Sequence, residues 1–267
     1  MKSHFCLFAA LMPLLLLLGC GEAYHGEQGE PTEGIMAGYF QGGDGPFGRE
    51  LWRTDGTALG TELVKDIHPG PGSSRPMSLF LYDDILLFSA NDGSSGFELW
   101  RSDGTAEGTW KVRDIYPGPG SSYPLFIVRC GDRALFSADD GAHGKELWVT
   151  DGTTEGTVMV KDIHPGWQGS RPYYLTRIGD QVFFSADDGL HGRELWMSDG
   201  TPGGTRMVKD INRGRGGSSL SHFSAVNGLL FFRANDGLHG RELWVSDGTA
   251  EGTRMVKDIN PGSSPSG

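Results

Sequence analysis

Apolar residues in this chain fall into short runs bounded by clusters of Gly, Asp, Ser and Pro. Runs such as Leu86-Leu87-Phe88 and Val182-Phe183-Phe184 are continuous rather than alternating. That pattern predicts strands buried on both faces. Late in the chain four such runs follow one another: Arg171–Arg177, Gln181–Ala186, Glu194–Ser198 and Thr205–Ile211. Between them, Asp187-Asp188-Gly189 and Asp199-Gly200-Thr201 have turn chemistry: Asp bonds the backbone two residues on, and Gly supplies positive φ. Links this short predict antiparallel hairpins. The longer link Pro165–Ser170 joins one group of four strands to the next.

The pattern repeats. Trp52, Trp100, Trp148, Trp196 and Trp244 stand 48 residues apart, and so do Asp55, Asp103, Asp151, Asp199 and Asp247. Phe40, Phe88, Phe136, Phe184 and Phe232 keep the same step, as do Glu50, Glu98, Glu146, Glu194 and Glu242. Four short antiparallel strands in such a unit make a propeller blade. A solenoid of two coils per unit is the rival, but the two Asp-Gly turns of a unit, at Gly93 and Gly104, are 11 apart rather than half a period. The expected fold is all-β, a β-propeller of about five four-stranded blades spanning residues 35–267. The first blade is expected to be incomplete, because Gln28–Gly34 has no apolar residue. The count is 19 strands, with Ile35–Ala37 as a candidate borrowed strand. The repeated Trp is expected to fill the wedge between blades, and the repeated Asp to form turns.

Residues 1–19 read differently. Lys2 precedes an apolar stretch, Phe5–Leu18, too short to span a bilayer. It ends in Leu17-Leu18-Gly19-Cys20, which resembles a bacterial lipobox. The resemblance implies cleavage before Cys20 and a lipid on its thiol, with Gly21 favouring the outer membrane. Residues 20–34 are polar and acidic, a flexible tether. The only other cysteines are Cys6, in the signal, and Cys130, so the processed chain forms no intramolecular disulfide.

Composition narrows the function. Glycine makes up 43 of 267 residues, which disfavours long helices. The net charge of -11 argues against nucleic acid, whose phosphates need basic patches. No serine-hydrolase elbow, zincin or P-loop motif occurs.

The runs ELWRTDGT, ELWRSDGT, ELWVTDGT, ELWMSDGT and ELWVSDGT, each followed by G-T-x-x-V-[KR]-D-I or a close variant, resemble the ELWxxDGT-repeat proteins. These are bacterial surface or secreted proteins also called hyalin-like. The resemblance covers about residues 39–262. It implies a repeat architecture in a bacterial cell envelope, and no activity.

Residues present in every copy are expected to hold the blade. No cofactor is expected, with loop Ca²⁺ the one candidate, on Asp92, Asp140, Asp188 and Asp236. Calcium needs 6–8 oxygens, and these loops offer few. His143, His191 and His239 are read as turn histidines, and Lys65-Asp66 with its equivalents as solvated edge charges. Specific function is sought where copies differ. Trp110, Trp167, Tyr173 and Tyr174 are aromatics that could stack on sugars. The expected function is a lipid-anchored, non-enzymatic binding or adhesion scaffold for a protein or glycan. A carbohydrate-binding lectin is the alternative, and a glycosidase or related hydrolase the second.

Overall fold

The computed structural model describes residues 38–43, 45–259 and 261–262. The expected signal, Cys20, the tether and the candidate borrowed strand at 35–37 lie outside them. The described residues belong to the unit Ile35–Gly267.

Among these residues the structure is all-β, with 19 strands in five antiparallel sheets. The first sheet has three strands, β1 (Gly38–Gly43), β2 (Arg49–Thr54) and β3 (Glu62–Lys65). The second has β4 (Met77–Tyr82), β5 (Ile85–Asn91), β6 (Phe97–Ser102) and β7 (Trp110–Arg113). The third has β8 (Leu125–Cys130), β9 (Arg133–Asp139), β10 (Lys145–Thr150) and β11 (Val158–Lys161). The fourth has β12 (Tyr173–Ile178), β13 (Gln181–Asp187), β14 (Arg193–Ser198) and β15 (Arg206–Lys209). The fifth has β16 (Ser221–Val226), β17 (Leu229–Asn235), β18 (Arg241–Ser246) and β19 (Arg254–Lys257).

Within each sheet, strands pair in sequence order. The first hairpin of each four-stranded sheet turns on two residues, as where Tyr82 pairs with Ile85. Asp83, Gly131, Gly179 and Asn227 take positive φ there, as this tight turn requires. The fourth run is shorter than its apolar pattern suggests: β15 ends at Lys209, and Asp210-Ile211 enters the connection. Its backbone N–H groups leave the ladder for a side-chain acceptor, described below.

Successive sheets pack through one recurring seam. Leu51, Val64 and Ile67 of the first sheet meet Leu86, Phe88, Ala90 and Trp100 of the second. Leu99, Val112 and Ile115 then meet Phe136, Ala138 and Trp148. Leu147, Val160 and Ile163 meet Val182, Phe184, Ala186 and Trp196, and Leu195, Val208 and Ile211 meet Leu230, Phe232, Ala234 and Trp244. The second, third and fourth sheets thus each bury one face on the predecessor and the other on the successor, which is why their central strands lack alternation. Truncating a Trp in such a core costs about 3–5 kcal/mol. First strands of successive sheets also neighbour one another: β1 by β4, β4 by β8, β8 by β12, and β12 by β16.

The reading of the Lys-Asp pairs as solvated edge charges does not hold for Lys65, Lys161 and Lys209, whereas Lys257 is exposed as expected. Lys65 Nζ donates to the carbonyls of Ala106 and Thr109 in the next sheet at 3.1 and 2.6 Å. Lys161 reaches Thr205 at 2.9 Å, Lys209 reaches Ala250 and Thr253, and Arg113 reaches Thr157. Each of these cations tethers one sheet to the next.

Candidate binding site

The recurring polar side chains are committed to the scaffold. Glu50, Glu98, Glu146, Glu194 and Glu242 have no exposed surface. Glu98 accepts the backbone N–H of Ile115, Tyr116 and Ser122 at 2.8–3.3 Å, and the Ser122 hydroxyl at 2.7 Å. It holds the inter-sheet connection as a backbone strand would. Burial pushes the Glu98 and Glu194 carboxyls up to about 7 against the pull of these hydrogen bonds. Burial raises Glu50 and Glu146 too.

Asp55, Asp103, Asp151, Asp199 and Asp247 form the expected turns. Each accepts the N–H and hydroxyl of the Thr two residues on, as Asp103 does from Thr105 at 2.9 and 2.7 Å. The candidate calcium ligands have similar work. Asp140 Oδ1 accepts the N–H of Ala142 and His143, and its Oδ2 sits 2.7 Å from His143 Nδ1. Asp188 with His191 and Asp236 with His239 repeat this geometry. In the second sheet Ser95 stands in for the histidine, and Asp92 accepts from Ser94 and Ser95 with Lys111 at 3.5 Å. Burial would raise these aspartates, but the donors outweigh it and hold all four below the ordinary carboxylate range. Hydrogen bonding to the partner Asp raises the three histidines. Among the described residues no three His, Cys, Asp or Glu side chains gather as a metal site.

Of the residues that differ between copies, the two tyrosines come together. Tyr173 and Tyr174 on β12 make an edge contact, with ring centroids 4.6 Å apart. Tyr173 touches Phe126 of β8 at 4.3 Å, and Tyr174 stacks on Phe223 of β16 at 5.4 Å. The aromatic strip therefore crosses three sheets along their adjacent first strands. Tyr174 takes φ +59° at a register shift in β12, which turns consecutive side chains onto one surface.

Beside the strip, where the β11–β12 connection passes β13 and β14, lies a cleft of about 380 Å³. It is lined by His164, Trp167, Gln168, Arg171, Asp187 and Arg193. Trp167 is 77% exposed. Its loop is pinned at a close backbone approach: Arg171 N donates to Lys145 O at 2.8 Å, and a Cβ on Gly144 would strike the Trp167 carbonyl. Arg193 is fixed by the carbonyls of Arg171 and Ser185 at 2.8 and 3.2 Å. Burial lowers the Arg193 and Lys145 pKa values, and the Arg171 charge lowers them further. Two arginines, Arg171 and Arg193, thus line the cleft with one carboxylate, Asp187. Trp110 is elsewhere: it lies 42% exposed on β7 with the Arg101 guanidinium 4.4 Å over its ring.

Sequence reasoning did not single out Arg171 or Arg193. The signal was the position of Trp167 itself, which in other copies is Pro71, Pro119 or Arg215. A smaller cleft of about 340 Å³ recurs two sheets earlier at His68, Ser73, Arg75, Asn91 and Phe97, without the indole or the second arginine.

No protein-family model and no curated protein matches this chain. Solved structures do. A puromycin hydrolase is similar with a TM-score of 0.53 and 12% identity, over 86% of this chain and 36% of that one. A prolyl endopeptidase is similar with a TM-score of 0.51 and 12% identity, over 82% of this chain and 32% of that one. The chain spans about a third of these proteins. At this identity the likeness shows the fold: an all-β, propeller-like array of repeated antiparallel sheets.

Proposed function

We propose that this chain is a non-enzymatic binding scaffold that presents the Trp167 cleft and the adjoining Tyr173–Tyr174 strip to a ligand. The observation that carries this reading is the pairing of the exposed Trp167 indole, absent from the other copies, with Arg171 and Arg193 in one cleft of an otherwise self-satisfied repeat. An exposed indole offers a flat face for a sugar ring, and Arg171 offers a donor fork for a carboxylate. The favoured ligand is a glycan bearing acidic sugars. The resemblance to the ELWxxDGT-repeat proteins and the lipobox support a place in a bacterial envelope, with the propeller held to the outer membrane through lipidated Cys20. The hydrolase reading has less support: the recurring Glu and Asp groups are committed to backbone and turn hydrogen bonds, and the likeness to hydrolases covers a third of those chains.

A glycan array probed with the purified protein tests the ligand. Binding to acidic saccharides should fall at least about tenfold in Trp167→Ala and Arg171→Ala, with melting temperature unchanged because both side chains are on the surface. Equal binding by the variants, or none by the parent, would refute the assignment. Radiolabelled palmitate incorporation that survives in Cys20→Ser would refute the anchor.

A further inference from the structure

The fifth sheet carries an apolar face that no described residue covers. Leu243, Val256 and Ile259 are 37, 43 and 59% exposed. Their equivalents in the first four sheets are buried: Leu51, Leu99, Leu147 and Leu195 at 0%, the matching valines at 5% or less and isoleucines at 6% or less. Lys257 repeats the situation in polar form. It is exposed with no hydrogen-bond acceptor among the described residues, whereas Lys65, Lys161 and Lys209 each grip a carbonyl of the following sheet.

The opposite end of the array has the complementary deficit. Phe40 and Trp52 are half-buried, while Phe88, Phe136, Phe184 and Phe232 are at most 1% exposed. The first sheet does not cover the fifth, since both faces are open at once. Four seams inside the chain show what a Leu-Val-Ile face binds: the Phe-Trp face of the same repeat.

We infer that the β18–β19 face docks the β1–β2 face of a second copy of this chain, head to tail. Leu243, Val256 and Ile259 would cover Phe40 and Trp52, and Lys257 Nζ would reach the carbonyls of Ala58 and Thr61, the counterparts of Ala106 and Thr109. Such a contact is heterologous, using two different patches, so it propagates into rings or filaments rather than stopping at a dimer. Gly38 and Gly42 stand where the second sheet has Leu86 and Ala90, so this seam buries less than an internal one. That suits reversible association between copies.

The test is sedimentation of the purified chain over a range of concentrations. The parent should grow into species larger than a dimer as concentration rises. Val256→Lys and Phe40→Lys, each blocking one patch, should sediment as monomers, with unchanged circular dichroism confirming that they fold. Their equimolar mixture retains one intact pair of patches and should give dimers and nothing larger. Lys257→Glu, an exposed change that leaves folding alone, should weaken association at least about fivefold. A parent monomeric throughout, a Val256→Lys variant that assembles like the parent, or a mixture that stays monomeric would each overturn the inference.

Discussion

Replacing Glu98 by alanine would remove the acceptor around which one inter-sheet connection is organised. Among the four donors it serves, two have a second acceptor: Ser122 N also reaches Phe97 O at 2.9 Å, and the Ser122 hydroxyl reaches the same oxygen at 3.2 Å. The N–H groups of Ile115 and Tyr116 have Glu98 alone. A buried donor left unsatisfied costs about 1–3 kcal/mol, so the two together cost about 2–6 kcal/mol. For a body of this size that lowers the melting temperature by about 10 °C, within a range of roughly 4–24 °C. Urea unfolding followed by tryptophan fluorescence and far-UV circular dichroism gives the loss directly. Glu98→Gln should fall between parent and Ala, because it keeps one carbonyl oxygen but turns an NH₂ toward other donors. A loss below about 1 kcal/mol in Glu98→Ala, with cooperative unfolding retained, would show that the connection does not depend on this carboxylate.

Stability should rise as pH falls from 8 to about 5. The native Glu98 and Glu194 hold protons up to about 7, whereas unfolded glutamates release them near 4.5, so the native state binds more protons across that window. The raised histidines act in the same direction, and the lowered aspartates reverse the trend below about pH 3.8. A urea midpoint that climbs steadily from pH 5 to 8 would contradict this. Gly108→Ala should cost about 2–3 kcal/mol, since its Cβ would overlap the Asp103 carboxylate that makes the turn. Gly118→Ala, at φ +93° but in open space, should cost only about 1–2 kcal/mol, and thermal melts of the pair decide the order. Cys130 is buried with its thiol pushed up by burial, so thiol reagents should label it only on unfolding; rapid labelling of the native protein would refute its place in the core. Chelators should leave the melting temperature unchanged, because the oxygens of Asp140, Asp188 and Asp236 already have internal partners; a drop of several degrees would restore calcium to the loops.

Strands and turns were legible because they depend on local chemistry: apolar runs, Asp-Gly pairs and a fixed step. The Asp103-type turn follows from its own tetrapeptide. Roles set by tertiary contact were not legible. Glutamate is normally exposed, and nothing local says that Glu98 faces inward to serve Ile115 and Ser122; only its recurrence beside a buried Leu-Trp hints at it. Lys65 looks like an edge charge until the next sheet brings Thr109 within 2.6 Å. At the candidate site, the aromatic departures from the repeat were visible as single letters. That Tyr173 and Tyr174 share a surface while Trp110 does not depends on the backbone at the β12 register shift, and the cations beside Trp167 depend on which connection passes which strand.

The inter-sheet seam has a consequence for how such a gene can change. Each boundary is built from the same parts, Leu-Val-Ile against Phe-Trp with a cation across the gap. Unequal recombination that adds or removes one whole unit would join surfaces already matched to each other. Array length can therefore drift without any new interface having to be invented, while single-copy residues such as Trp167 diversify on an unchanged frame.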